Sequence, residues 1–437
     1  MNKKVILKNI SGVYLAFCLL AGLAFFTSCE DDDKSDSSPI TVTSIHLSDA
    51  DDEVPDRTLN YVRLGYLIRI EGSGFTGMQK IYINGVSAYF NTTLMSDNSM
   101  IIKVPNDAPT VEATEDVRNT IRFVKKGTEY TYNFDVRSAA PSISRISHTM
   151  PQAGEEITIY GSGLYEISKV TFPGGVTVTE GIESDNEEGT YCILKVPAGI
   201  TEGGAILVEG SAGATYSPAY FNFKKGLLHN FDDVNNSSWG GGLVSGNLTD
   251  VIPAAGDGPK SQGIYRSFNK DKEVIPAPAA KASFYWANSA VWPTILTNSV
   301  IPVTTETSKV AVQFDVYFEG AWNSGTIRMV IADGYGTDRY CMLYTPWLVN
   351  GKITEFENPG SWYTVTLPFS NSADFVDKTF ESVLNAVNGA SYKQWGPWFD
   401  NIKIDDIEPE PTNVVVYFDN LRVVPLEVPA YNEFGDE

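Results

Sequence analysis

The segment Ile70-Glu71-Gly72-Ser73-Gly74-Phe75 is the most informative about the fold, because the chain repeats it as Ile159-Tyr160-Gly161-Ser162-Gly163-Leu164. Each copy is a strand-like run that ends in Gly-Ser-Gly and a large apolar residue, as expected where a strand turns sharply. A second block recurs at nearly the same offset, as Ile102-Lys103-Val104-Pro105 and Leu194-Lys195-Val196-Pro197. Matched blocks at nearly constant spacing indicate two copies of one module, over residues 40–137 and 140–225.

Each module resembles an immunoglobulin-like TIG/IPT domain. The resemblance rests on the strand that ends in Gly-Ser-Gly, the next strand into a glycine turn, and the Lys-Val-Pro strand end. Elsewhere short β-branched and aromatic runs alternate with turn residues, and residues 374–390 are the best helix candidate. With 437 residues, more than one core is expected. We predict an all-β chain of two tandem immunoglobulin-like sandwiches followed, over residues 226–437, by a larger jelly-roll-type sandwich.

The C-terminal region contains a run with clear period-2 alternation, from Val312 to Phe318. Alternation of this kind predicts a strand whose Val and Phe side chains face the core and whose Gln313, Asp315 and Tyr317 face water. The run Val414–Phe418 is predicted to close the same sheet with the first strand of this region, residues 227–231.

The first 28 residues combine a basic start with an apolar stretch, which is typical of a secretory signal peptide. Phe26-Thr27-Ser28-Cys29 resembles a bacterial lipobox, which implies cleavage before Cys29 and attachment of lipid to its sulfur. Residues 29–39 form an acidic linker. Its run Glu30-Asp31-Asp32-Asp33, directly after Cys29, resembles the surface-export signal of Bacteroidetes lipoproteins. That resemblance implies a lipid-anchored outer-membrane protein facing the cell exterior; without it, the run is a solvated charged linker.

The formal net charge of −22 disfavours nucleic acid and anionic membrane surfaces as ligands, and it is compatible with a neutral ligand. Cys192 and Cys341 are far apart in sequence and predict neither a disulfide framework nor a zinc site. The sequence contains only three histidines, so few residues are available for a catalytic triad. Asp232 and Asp419 flank the first and last strands of the C-terminal region. Their oxygens suit a structural calcium ion, although turn chemistry also favours aspartate there.

All eight tryptophans lie between residues 239 and 398. Flat amphipathic rings suit a ligand with one apolar face and a polar edge, such as a pyranose ring, although large aromatic residues also fill cores. Four rings lie in loop-like sequence and are predicted to be exposed: Trp292, Trp322, Trp347 and Trp395. Trp286 and Trp398 are equally compatible with a place in the core and with a place on the predicted platform, the surface of exposed rings that would bind the sugar. Side chains nearby that would contact sugar hydroxyls are Asn288, Asn323, Arg328, Asn350 and Gln394.

The whole layout resembles the surface glycan-binding proteins of Bacteroidetes polysaccharide-utilisation loci. The segments that carry the resemblance in the C-terminal region are Trp322-Asn323-Ser324-Gly325, Tyr344-Thr345-Pro346-Trp347 and residues 360–368. It implies a protein that captures a neutral polysaccharide without catalysis and without a cofactor. The favoured ligand is a plant β-glucan such as xyloglucan or mixed-linkage glucan. The resemblance also implies a TonB-dependent transporter and its surface binding partner as neighbours.

Two other functions stay open on the residues themselves. A glycoside hydrolase or lyase would need a pair of carboxylates, and no spacing in the sequence singles one pair out. A protein-binding adhesin would use the immunoglobulin-like modules instead of the C-terminal region.

Overall fold

The structure, a computed structural model, describes residues 38–48, 56–231, 238–239, 252–253, 264–269, 271–284, 286–287, 301–332, 339–391 and 395–434. Residues 238–239, 252–253, 264, 281–284 and 286–287 are described by their backbone only. The chain divides into two compact units, Met1–Arg137 and Ser138–Glu437. Among the described residues, no helix has the length and apolar character needed to span a membrane.

The first unit is a sandwich of two four-stranded antiparallel sheets. Its strands are β1 (Thr41–Leu47), β2 (Tyr61–Arg63), β3 (Leu67–Ser73), β4 (Met78–Ile83), β5 (Val86–Ala88), β6 (Phe90–Met95), β7 (Ser99–Lys103), β8 (Thr120–Lys125), β9 (Thr128–Asn133) and β10 (Asp135–Arg137). One sheet has the order β1-β3-β7-β6 and the other β5-β4-β8-β9, while β10 runs parallel to β2. Alternate residues of β3, Ile68 and Ile70, pack against Ile81 and Phe123 of the facing sheet.

The second module, at the start of the second unit, repeats this arrangement. Its strands are β11 (Ser142–Ile146), β12 (Glu156–Ser162), β13 (Lys169–Thr171), β14 (Thr177–Val178), β15 (Glu183–Ser184), β16 (Tyr191–Lys195), β17 (Leu207–Gly210) and β18 (Gly213–Tyr216). The sheets have the orders β11-β12-β16-β15 and β14-β13-β17-β18. Cys192 is fully buried between them, as its place in an apolar strand predicts.

The C-terminal domain is a larger sandwich. Its strands are β19 (Leu227–His229), β20 (Ser238–Trp239), β21 (Ile252–Pro253), β22 (Ile264–Phe268), β23 (Ala279–Phe284), β24 (Trp286–Ala287), β25 (Val310–Glu319), β26 (Thr326–Ile331), β27 (Cys341–Tyr344), β28 (Leu348–Val349), β29 (Lys352–Ile353), β30 (Tyr363–Pro368), β31 (Trp395–Asn401) and β32 (Val415–Pro425). The first sheet has the order β21-β22-β32-β25-β30, and β19 pairs with β32 as predicted. The second sheet has the order β20-β24-β31-β26-β27, with β23 also paired to β31.

One α-helix, α1 (Phe380–Gly389), lies among the described residues of this domain, so the predicted helix begins six residues later than expected. Its buried residues Phe380, Val383 and Val387 join the core between the sheets. In the described ranges the other helical turns are of the 3-10 type: Pro173–Gly175, Lys224–Gly226, Thr307–Lys309, Phe369–Asn371 and Ala373–Phe375. The all-β prediction is confirmed, because antiparallel sheets carry every described module.

The prediction that one face of β25 is exposed is wrong for Gln313 and Asp315. Both side chains are buried, at 0% and 1% exposure, because the second module packs on the outer face of the first sheet. Ala311 of β25 and Val424 of β32 are part of the same apolar cluster as the core of that module. The second module and the C-terminal domain therefore share a core, which sequence periodicity within either one does not reveal.

Candidate functional site

Four tryptophans of the predicted platform are buried. They are Trp322, Trp347, Trp395 and Trp398, each exposed over 2% of its surface or less. Trp322 lies against Phe318 and Tyr344, with ring centroids 5.2 and 5.8 Å away. Trp395 packs edge-on against the ring of Phe369. The expectation of exposure is wrong for Trp322, Trp347 and Trp395, and Trp398, which the sequence placed equally well in the core or at the site, is buried as well. None of the four rings offers an open face to a ligand.

The loops of Trp322 and Trp347 turn inward because their indoles share one acceptor. Both indole N–H groups donate to the carbonyl oxygen of Gly325, at 3.0 and 2.6 Å. Gly325 has a φ of +87°, and a Cβ there would lie 2.4 Å from the ring of Phe399. A segment rich in Asn and Gly, which local sequence assigns to an exposed loop, therefore closes one end of the core.

The outer face of the second sheet brings two predicted site residues together. Arg328 on β26 is directly opposite Trp398 on β31, and on its other side it faces Leu343 on β27. Residues opposite each other on antiparallel strands project from the same face, so an indole, a guanidinium and an isobutyl group form one row. Trp398 packs with Val330 in a small cluster separate from the main core, which places both on this outer face.

The row borders a hollow of about 550 Å³, lined by Arg328, Cys341, Leu343 and Asn371. Arg328 is held by an ion pair with the buried Asp400, at 3.0 Å, so the guanidinium has a fixed position at the edge of the hollow. Leu343 is 40% exposed and gives the hollow an apolar surface. The hollow therefore combines an apolar surface with a fixed hydrogen-bond donor, and its volume suits a small ligand.

The other predicted site residues are distributed unevenly around this sheet. Trp286 lies on β24, whose Ala287 pairs with Trp395 of β31, so its strand belongs to the sheet that carries the hollow. Asn323 is half-buried beside Trp322, and Asn350 is exposed at the turn between β28 and β29; neither lines the hollow. Three of the predicted residues, Asn288, Trp292 and Gln394, lie outside the described residues, and the site role of Trp286 stays a prediction.

A larger cleft, which the sequence did not predict, lies between the second module and the outer face of the first sheet. Its volume is about 790 Å³. Aromatic side chains of the C-terminal domain line one wall: Tyr317, Phe356, Trp362 and Tyr363. The second module contributes Arg145, His148, Glu155, Glu156 and Tyr160. Period-2 alternation indicated that Tyr317 faces outward, but no local signal indicated what lies opposite it.

A buried polar network lies beneath this cleft. Arg422 on β32 donates to Asp315 at 2.8 Å, and His148 lies 3.5 Å from Asp315 and 3.3 Å from Glu155. Burial by itself raises the pKa of Asp315, but Arg422 and His148 lower that pKa well below its usual range. Burial alone lowers the pKa of His148, but Asp315 and Glu155 raise it to about 9. The imidazole is therefore charged at neutral pH and joins the two domains.

The calcium hypothesis is not tested by the described residues. Asp232 lies outside them, and Asp419 is buried with a carboxylate oxygen accepting a hydrogen bond from the amide of Asn420 at 2.7 Å. Across the part of the chain that the structure describes, no group of three His, Cys, Asp or Glu side chains is arranged to hold a metal ion. The pair of aspartates thus remains a prediction from sequence.

The described modules, an antiparallel sandwich with a hollow on one sheet face preceded by immunoglobulin-like modules, define a multidomain protein of the β-sandwich class. Residues 221–425 match the family model described as "Surface glycan-binding protein B xyloglucan binding domain". The resemblance to surface glycan-binding proteins is thereby confirmed.

One relative and one solved structure are also similar to this chain. An IPT/TIG domain-containing protein of Bacteroides ovatus is 30% identical over 226 residues, which are 49% of this chain and 44% of the relative. The chain thus spans less than half the length of that curated relative. The crystal structure of the surface glycan-binding protein PbSGBP-B from Prevotella bryantii is similar in fold, with a TM-score of 0.65 at 19% sequence identity. The matched region covers 90% of this chain and 100% of that chain. At that identity the likeness concerns the fold.

Proposed function

We propose that this chain is a non-catalytic cell-surface lipoprotein that binds a neutral plant β-glucan for capture and uptake. Xyloglucan is the first ligand to test. The observation that carries the proposal is the match of residues 221–425 to a xyloglucan-binding domain, because the hollow beside Arg328 and Leu343 lies within those residues.

The row on the second sheet supplies the contacts that a glucan backbone needs. Leu343 offers an exposed apolar surface to a pyranose face, and Trp398 forms a rigid base next to Arg328. Arg328 is oriented by Asp400 and lines the hollow, where its guanidinium is placed to donate to sugar hydroxyls. Trp286, on a neighbouring strand of the same sheet, is the ring that we assign to stacking, together with Asn288, Trp292 and Gln394 as predicted from the sequence.

The charges at the hollow support binding without hydrolysis. Hydrolysis of a glycosidic bond needs two carboxylates roughly 5–10 Å apart, on either side of the bond. None of the four described residues that line the hollow carries a carboxylate. Asp400, a carboxylate on the same sheet face as Arg328, is buried and engaged in its ion pair with Arg328.

The binding test is calorimetry on the full chain with a xyloglucan oligosaccharide. Trp286→Ala removes a stacking ring, and we expect it to weaken binding by at least about tenfold, from the roughly 1–3 kcal/mol that one stacked ring contributes. Arg328→Lys keeps the charge beside Asp400 but loses the planar donor fork, and should weaken binding several-fold. Leu343→Ala should do the same, whereas Val349→Ala, a matched change at an exposed apolar residue away from the hollow, should not. Unchanged binding in the first three variants would refute this site, and release of reducing sugar would refute the non-catalytic assignment.

The surface location rests on the N-terminal segment. We assign Cys29 as the lipidated residue, the outer membrane as the anchor, and a TonB-dependent transporter with its surface binding partner as neighbours. Cys29→Ala should move the chain from the membrane fraction to the soluble fraction of cells, and protease treatment of intact cells should digest the wild-type chain. Retention of the variant in the membrane fraction would contradict the lipid anchor.

A further inference from the structure

We propose that the cleft between the second module and the C-terminal domain is a second carbohydrate site, which takes a short stretch of a neutral glycan. The cleft has a volume of about 790 Å³ and is lined by both domains. Ligand pockets for small molecules fall within roughly 300–1,000 Å³, so the cleft has room for a few sugar units.

The wall from the C-terminal domain is built of rings on the outer face of the first sheet. Tyr317 and Trp362 have ring centroids 6.1 Å apart, and Trp362 in turn packs edge-on against the buried Tyr265 at 5.2 Å. Phe356, half-buried, adds an apolar surface from the neighbouring loop. These contacts fix the rings in place, so a sugar face stacks on the half-buried Tyr317 and Phe356 without the entropic cost of ordering free side chains, while the buried Trp362 supports Tyr317.

Trp362 carries an unsatisfied donor at this wall. Its indole N–H is buried and finds no acceptor among the described residues, although the side chain lines the cleft. A buried indole N–H normally has a hydrogen-bond partner, and leaving one unpaired costs about 1–3 kcal/mol. Because this N–H lies beneath the surface of the wall, a sugar hydroxyl reaches it only when the indole shifts outward on binding.

The wall from the second module supplies polar groups. Arg145 lies over the ring of Tyr160, 3.5 Å from its centroid, which leaves the guanidinium edge free to donate. Glu156 faces the same space, and Glu357 lies across from it on the C-terminal domain; both are exposed. Carboxylates accept hydrogen bonds from sugar hydroxyls and repel uronic acids or sulfated sugars, which selects a neutral glycan over an anionic one.

The two walls are held in a fixed relation by buried hydrogen bonds. Thr149 of the second module bonds to Gln313 at 3.2 Å and accepts from Arg422 at 2.7 Å, and its amide donates to Thr364 at 2.9 Å. The backbone of Ser147 accepts from the amide of Thr364 as well. A cleft whose walls are fixed in this way is preorganised for a ligand.

The cleft is distinct from the hollow on the second sheet. It lies on the outer face of the first sheet, on the other side of the sandwich, and Arg145, Glu156 and Tyr160 precede the residues matched by the binding-domain family. The choice of a neutral glycan as the ligand rests on the proposed function, whereas the location of the second site rests on the geometry of the cleft.

The test is the number of oligosaccharides bound per full-length chain, measured by calorimetry with a xyloglucan oligosaccharide. We expect two binding events in the wild type. Tyr160→Ala removes part of one wall, and Trp362→Phe keeps a ring but removes the N–H; each should abolish one event and leave the other unchanged. Tyr89→Ala, at an exposed tyrosine of the first module, is the matched control and should retain both.

The possible results separate the two sites. Loss of one event in Tyr160→Ala and Trp362→Phe, with the other lost in Trp286→Ala, supports both. Wild-type behaviour of Tyr160→Ala and Trp362→Phe, with folding verified by circular dichroism, overturns the cleft. If Trp286→Ala and Arg328→Lys bind like the wild type while Tyr160→Ala loses an event, the cleft stands and the sheet-face site fails. If the wild type binds no neutral glycan, the assignment of a neutral glycan as the ligand is wrong for both sites.

Discussion

The glycines of the repeated Gly-Ser-Gly motif serve two different physical purposes. Gly74 and Gly163 have φ values of +76° and +69°, a region that side chains with a Cβ rarely adopt. Gly72 and Gly161 have no such φ; instead, a Cβ at either would lie 1.9 Å from a backbone oxygen of the paired strand, that of Thr41 or Ser142. The sequence predicted the sharp turn, but the close approach of two backbones is visible only in the sheet.

Gly161→Ala should therefore destabilise the second unit strongly, because backbone atoms cannot move aside as a flexible side chain can. We expect a loss of about 3 kcal/mol in the free energy of unfolding, at the upper end of the usual range for overpacking. Gly154→Ala is the control: Gly154 has a φ of +90° but open space where its Cβ would be, so only about 1 kcal/mol of backbone strain is expected. Urea unfolding of the full chain measures both, and equal losses would contradict the role of the close contact.

At the scale of elements, β25 shows how a strand acquires two buried faces. Its Val and Phe side chains face the core of the C-terminal domain, whereas Gln313 and Asp315 face the second module. An alternating pattern of apolar and polar residues is identical for a solvated face and for a face covered by a polar interface, so the sequence could not distinguish them. The charges of His148, Asp315 and Arg422 are the signature of such an interface once the partner element is known.

The interface predicts a pH dependence of stability. The pKa of His148 rises from 6.5 to about 9 on folding, so the folded state binds the proton more tightly than the unfolded state. Its contribution to stability is therefore complete below pH 6.5 and is lost as the pH rises to about 9. The loss should be on the order of 3 kcal/mol, from 1.36 kcal/mol per pKa unit. Asp315 is ionised in both states throughout this window and adds no slope.

Unfolding by urea between pH 6 and 9.5 measures this effect. His148→Gln keeps a polar side chain at the interface without the titrating group, and its stability should vary much less over the same range. A wild-type profile as flat as that of the variant would show that His148 does not hold the proton as the geometry indicates.

For the whole molecule, the second module and the C-terminal domain form one compact unit, Ser138–Glu437. Val424 and Ala311 are fully buried in a cluster shared with the second module, and Gly226 passes close enough to Val423 that a Cβ would lie 1.8 Å from its backbone oxygen. The domain boundaries predicted at residues 40–137, 140–225 and 226–437 stay predictions, but a fragment cut at residue 226 would expose this shared core.

A fragment of residues 138–437 should accordingly unfold in a single cooperative transition, whereas a fragment of residues 226–437 should unfold at a lower temperature. The physical reason is the loss of apolar burial, together with the exposure to water of Asp315 without its partner His148 and of Arg422 without its partner Thr149. Differential scanning calorimetry of the two fragments measures the difference. Equal transition temperatures would mean that the interface contributes little to the stability of the C-terminal domain.

Four features were predictable from the sequence: the repeat, the all-β class, the pairing of the first and last strands of the C-terminal domain, and the resemblance to surface glycan-binding proteins. These depend on local periodicity, turn residues and motif spacing, which a linear chain displays directly. The tertiary structure alone decided which aromatic rings face water. Trp322 and Trp347 are buried because their indoles reach the carbonyl of Gly325, whereas Tyr317 and Trp362 line a cleft because the second module lies opposite them. Exposure depends on what a distant part of the chain places over a residue, and no local pattern encodes that.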